Sequence, residues 1–156
     1  MIAFDTETGL IRPGRAIPPL VCLTLAWDTP ERPPWLTPGP GCLVRSSSAL
    51  CDRSTTLELA PALLAERAPN GPALVGANTA YDLAVLAEQR ADLLPAIFDA
   101  LEVPAVTDVQ VRERLYANAF GALQTTRVNL ASLVYRHLGH ERGDAMAATK
   151  TGDVWR

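Results

Sequence analysis

The first ten residues, MIAFDTETGL, set Asp5 and Glu7 one residue apart inside a run that otherwise reads as a strand. Acidic residues are depleted in strands, and a buried carboxylate must be paired, hydrogen-bonded or bound to a metal. Along a strand, residues i and i+2 point to one face, about 6.5 Å apart by rise. Asp5 and Glu7 therefore project together, and Ile2, Phe4 and Thr6 take the other face. Two convergent carboxylates at the carboxyl end of a strand make half a site for a hard divalent cation such as Mg²⁺ or Mn²⁺. The pattern is short and also common among solvent-facing strand ends, so it constrains the chain only if a second element reaches the same place.

Such an element occurs in LVGANTAYDLAVL, where a buried strand ends at Gly76 and a helix follows. Asn78 and Asp82 stand at i and i+4, on one face of that helix. A carboxylate one turn into a helix lined by Tyr81, Leu83, Val85 and Leu86 is costly unless it faces a site. Together the strand and the helix start supply three carboxylates and an amide to one potential cluster, which suits metal-assisted phosphodiester chemistry.

Around these motifs the pattern is that of one α/β domain. LVCLTLAW, Leu20 to Trp27, suits a second strand, and the Pro- and Gly-dense DTPERPPWLTPGPG must be loop. A third short strand is expected over Cys42 to Arg45. The helical spacing of LELAPALLAERA follows Ser54, Thr55 and Thr56, of which a Thr can cap the helix, with Pro61 blurring its start. The helix after Asn78, its expected N-cap, reads on through NTAYDLAVLAEQRADLL. A strand over Pro104 to Thr107 leads to Asp108, placed to cap VQVRERLYANAF, and a last helix runs from Asn129 to Gly139.

Composition excludes several classes. With 48% hydrophobic and 20% charged residues over 156 positions, the chain can bury a real core. No run approaches the about 20 apolar residues of a membrane helix, and the start lacks the features of a secretory signal. A cytoplasmic protein with no membrane partner is expected. Cys22, Cys42 and Cys51 lack close C-x-x-C spacing and read as small buried or half-buried residues, not as a disulfide framework or zinc site. Net charge is −3, which argues against a basic nucleic-acid-binding surface but leaves open binding through divalent ions. No phosphate-binding G-x-x-x-x-G-K-[ST] loop is present.

FDTET resembles the first motif of the DEDD (DnaQ-like) 3′–5′ exonuclease superfamily, and VGANTAYDLAVL resembles its second. The later stretches TDVQVRERLY and LASLVYRHLG are similar to the proofreading domain of phage-type and bacterial family A DNA polymerases. The resemblance implies an RNase H-like fold: a mixed central sheet whose first strands are antiparallel, flanked by helices. It implies two divalent cations, Mg²⁺ or Mn²⁺, about 3.5–4 Å apart at the scissile phosphate. Asp5 would bridge both, Glu7 would bind one and contact the terminal 3′ hydroxyl, and Asp82 would hold the second through water. Thr6 and Asn78 are the candidate substrate-binding residues. The implied substrate is the 3′ end of single-stranded DNA, and the implied partner a polymerase domain of the same protein.

The family's third motif, an Asp preceded by Tyr or His on a last helix, is the point of departure. His140 and Asp144 in HERGD lie four apart but read as a polar loop beyond a helix end marked by Gly139. A chain truncated before the third motif is expected, with activity of residues 1–156 absent or far below that of a longer one. Two other readings stand beside the exonuclease: a non-catalytic RNase H-like module that binds nucleic acid or docks a polymerase, and an RNA-directed exonuclease of the same superfamily.

Overall fold

The N-terminal strand forms as β1, Ile2–Thr8, with Ile2, Phe4 and Thr6 buried and Ala3 and Asp5 exposed. The computed structural model describes residues 1–10, 13–14, 16–69, 73–121 and 129–139. β2, Leu20–Trp27, runs antiparallel to β1, with Asp5 opposite Thr24, Thr6 opposite Leu23 and Glu7 opposite Cys22. The ladder slips between Glu7 and Thr8. β3, Cys42–Val44, and β4, Ser48–Asp52, extend the sheet on the β2 side as antiparallel neighbours. On the other side of β1 lie two short parallel strands, β5, Leu74–Gly76, and β6, Val106–Asp108. The result is a mixed six-stranded sheet in the order β3-β4-β2-β1-β5-β6.

β4 is absent from the sequence expectation. Its five residues, SALCD, bury only Ala49 and Cys51, too short an alternation to stand out, and they become a strand because β2 offers an open edge. The new strand also moves the start of α1, Arg53–Leu64: the cap is Asp52, whose Oδ1 accepts from Thr55 N–H at 2.8 Å, and not a Thr. α1 then passes straight through Pro61. Proline has no N–H for the carbonyl four residues back, and that carbonyl, Leu57 O, accepts instead from Arg90 Nη1 at 2.6 Å.

α2, Thr79–Gln89, is shorter than its pattern suggests. Arg90 leaves the helix with φ −146° and ψ 90°, a single 3₁₀ turn follows over Ala91–Leu93, and α3 starts at Leu94 with Pro95 in its first turn and runs to Glu102. Proline suits a first turn, where its missing donor costs nothing, which is why a break here is favourable. α1 lies against β2 and β4, and α2 against β1, β2 and β6. Between them Leu23, Leu63, Leu64, Leu74, Val85 and Leu86 are fully buried. Each such side chain contributes about 1.5–3 kcal/mol of hydrophobic stabilisation, so the sheet and α2 are held as one seat for the residues discussed below.

Cys42 and Cys51 stand opposite each other in the β3–β4 register and are joined as a disulfide, Cα to Cα 4.1 Å, which corrects the reading of them as independent buried residues. Cys22 is free.

The chain divides after Asp108 into two compact units. In the second, α4 spans Val109–Ala119 and α5 spans Leu130–Leu138. α5 begins and ends as its sequence indicates: Asn129 Oδ1 accepts from Ser132 N–H at 2.9 Å, and Gly139 leaves the helix at φ 85°. Glu113 of α4 pairs with Arg136 of α5 and lies 3.1 Å from His137 Nε2. His140, Asp144 and the rest of the C-terminal segment lie outside the described residues. No helix among those described is long and apolar enough to cross a membrane.

Candidate functional site

The site lies where β1 and β5 part. Every second N–H of β1 points toward β5, and Ile2 N–H donates to Ala73 O at 2.8 Å on that side. The β1–β5 pairing extends only through Ala3 and Val75, and β5 ends at Gly76. Farther along, Thr6 N–H therefore faces no strand. Its place is taken by the side chain of Asp82, in the first turn of α2: Oδ1 accepts from Thr6 N–H at 3.0 Å and from Thr6 Oγ1 at 2.6 Å. A second link joins the same two elements, Tyr81 Oη and Thr8 Oγ1, 3.0 Å apart. Thr6, a substrate-binding candidate by sequence, is buried with both its donors on Asp82.

The approach that allows this is close. A Cβ on Gly76 would come within 2.7 Å of Thr79 Cγ2 and 3.0 Å of Phe4 O. Asn78 then turns the chain in the left-handed region, φ 66° and ψ 43°, and its side chain makes no capping bond. The expected N-cap is thus not made at Asn78, which is exposed. Thr79 N–H donates to Asp108 Oδ2 at 2.7 Å, and Thr79 Oγ1 lies 3.2 Å from the same oxygen. Asp108, expected to cap α4, has this oxygen committed to α2. The sequence sign that it could reach the site is its place directly after the expected strand over Pro104 to Thr107; in the structure it closes β6 in register with Gly76 at the end of β5.

Asp82 is 2% exposed, and while Oδ1 is satisfied twice, Oδ2 is buried without a hydrogen-bond partner. An orphaned buried carboxylate oxygen calls for a proton, a water or a cation. Burial pushes the Asp82 carboxyl up to about 6, against the hydrogen bonds from Thr6 and with the charges of Asp5 and Asp108 adding to the rise.

Asp5 and Glu7 project on the other side of β1, beside Thr24 and Cys22. The strand alternation brings these two carboxylates together, as the sequence indicates. Glu7 is held above the usual carboxylate range by partial burial, then by the Asp5 charge and a hydrogen bond between the two side chains. The Cys22 thiol is raised in turn by burial and by the charges of Glu7 and Asp5.

Asp82 does not join that pair directly; it stands on the helix-covered side, bonded to the residue between them. Among the described residues no group of three His, Cys, Asp or Glu side chains is arranged to hold a metal ion. The direct ligands available to a hard cation are Asp5 and Glu7 on their side of β1, and Asp82 keeps one buried oxygen, Oδ2, without a partner. This donor set, all oxygen, suits Mg²⁺ or Mn²⁺. Comparison with protein-family models, with curated proteins and with solved structures found no match to the chain.

Proposed function

We propose that this chain is a 3′–5′ exonuclease domain of the DEDD (DnaQ-like) superfamily with an RNase H-like fold. In this reading it hydrolyses phosphodiester bonds at the 3′ end of single-stranded DNA as the proofreading part of a cytoplasmic DNA polymerase. The observation that carries it is the carboxylate pair Asp5 and Glu7 on one side of β1 with Asp82 bonded to Thr6 between them from the other side and keeping one oxygen unpartnered, although the three do not form a single cluster. The mixed sheet with antiparallel opening strands supports it as well.

Two divalent cations, when bound, supply the positive charge that polarises the phosphodiester and acidifies a water. Asp5 and Glu7 would hold them from the open side of β1. To do so Glu7, held above the usual carboxylate range, must be ionised, and Asp82, raised to about 6, must be ionised to act as an acceptor through Oδ2. Cation binding is therefore coupled to proton release and tightens as pH rises. Thr6 keeps Asp82 Oδ1 occupied, so that Oδ2 alone is left for a water. The net charge of −3 argues against gripping duplex through a broadly basic surface, which favours an unpaired 3′ end as substrate.

The test is cation binding in the chain itself, read as thermal stability. Mn²⁺ or Mg²⁺ is expected to raise Tm by mass action, and Asp5→Ala to abolish the rise. In a longer chain that carries the third motif, 5′-labelled single-stranded DNA should shorten from its 3′ end, and Asp5→Ala should slow this by about 10²-fold or more. A folded protein whose Tm ignores both cations would sink the assignment.

A further inference from the structure

The residue that connects the sheet to the helix bearing Asp82 is Asp108, and nothing in the exonuclease motifs assigns it a task. α2 lacks a cap of its own, because Asn78 is spent on the left-handed turn and its amide makes no bond to the helix. The first helical amide is instead anchored across the sheet, Thr79 N–H to Asp108 Oδ2 at 2.7 Å, with Thr79 Oγ1 at 3.2 Å. Asp108 closes β6, whose pairing with β5 runs to Gly76. The anchor is thus fixed to the same short strands that end at the site. Gly76 leaves no slack, since even a methyl group there would strike Thr79 and the Phe4 carbonyl. Asp82 follows Thr79 within the first turn, so any movement of Thr79 is passed to the Asp82 carboxyl and its bonds to Thr6.

We propose that Asp108 is a positioning residue of the candidate site: through Thr79 it holds the N-terminus of α2 at the depth at which Asp82 meets Thr6. Its role is exerted through α2, without contact to substrate or cation. The consequence for cation binding rests on the exonuclease reading; the consequence for the Thr6 amide does not.

Hydrogen exchange of the Thr6 amide and Mn²⁺ affinity are measured on the same chain, for Asp108→Ala and for Asp108→Asn, which keeps an acceptor oxygen. Asp108→Ala is expected to speed Thr6 exchange about tenfold, the scale of losing one helix cap, and to weaken Mn²⁺ by a similar factor. Amides of the β2–β4 ladder should keep their wild-type rates, and Asp108→Asn should restore Thr6 to within about twofold. Wild-type protection of Thr6 in Asp108→Ala would overturn the proposal, as would equal acceleration in the β2–β4 ladder. Should Asp108→Ala fail to fold, Asp108→Asn and Asp108→Leu, which keeps the volume without an acceptor, decide: the first must protect Thr6 and the second must expose it. Absence of Mn²⁺ binding in the wild type would count against the exonuclease assignment alone, and the Thr6 amide would still judge Asp108.

Discussion

Two helices of this protein begin after an asparagine, and they begin by different means. At α5, Asn129 keeps extended backbone, φ −71° and ψ 156°, and its own side chain takes the Ser132 amide. At α2, Asn78 is left-handed, and a carboxylate 29 residues away takes the Thr79 amide. Asparagine tolerates both, because its short polar side chain suits a cap and also the left-handed region. The difference is in what each start must do. α5 only has to begin, whereas α2 has to begin at the depth that presents Asp82 to Thr6.

The largest expected effect comes from breaking the tertiary start at its far end, Asp82. Its folded pKa of about 6 lies above the ordinary 3.8, so between those values the folded protein keeps a proton that the unfolded chain has lost. In cation-free buffer, stability therefore falls as pH rises from about 4 to 6 and levels off above, by about 2–3 kcal/mol in all. Denaturant unfolding across that range checks it, and Asp82→Asn should flatten this part of the profile. A wild type whose stability is constant or rising there, with Asp82→Asn parallel to it, would show the buried carboxyl is not so raised.

A smaller effect sharpens the same contrast at the turn. Gly76→Ala must displace either Thr79 or the Phe4 carbonyl, and overpacking of this kind costs about 1–3 kcal/mol. Urea unfolding should show the loss, and the Thr6 amide should exchange faster than its neighbours in β2. The smallest effect compares the asparagines themselves. Asn129→Ala should cost about 1 kcal/mol, the value of a side-chain cap. Asn78→Gly should be neutral or stabilising by up to about 1 kcal/mol, because glycine enters the left-handed region without strain. If the two substitutions cost the same, the helices do not start differently.

Much of this architecture was legible in the residues. LVCLTLAW formed the expected strand from Leu20 to Trp27, and the D-x-E alternation put Asp5 and Glu7 on one side of β1. Asn129 and Gly139 bound α5 as their types indicate. These are features with a period or a local hydrogen bond, and both are written in neighbouring positions. β4, the break at Arg90, and the Cys42–Cys51 bond were not legible, since each depends on what lies across a sheet or on which of two permitted helix continuations packs better.

The candidate site divides along the same line. Sequence alone determined that Asp5 and Glu7 converge, because strand geometry repeats every two residues whatever surrounds it. It also determined that Asp82 lies in the first turn of a helix after a tight strand end. Only the tertiary structure decided that Asp82 reaches Thr6 from the helix-covered side, that one of its oxygens is left over, and that Asp108 holds the helix in place. Those outcomes follow from β5 ending while β1 continues: the gap leaves an amide that must be satisfied, and which carboxylate satisfies it depends on segments far apart in the chain.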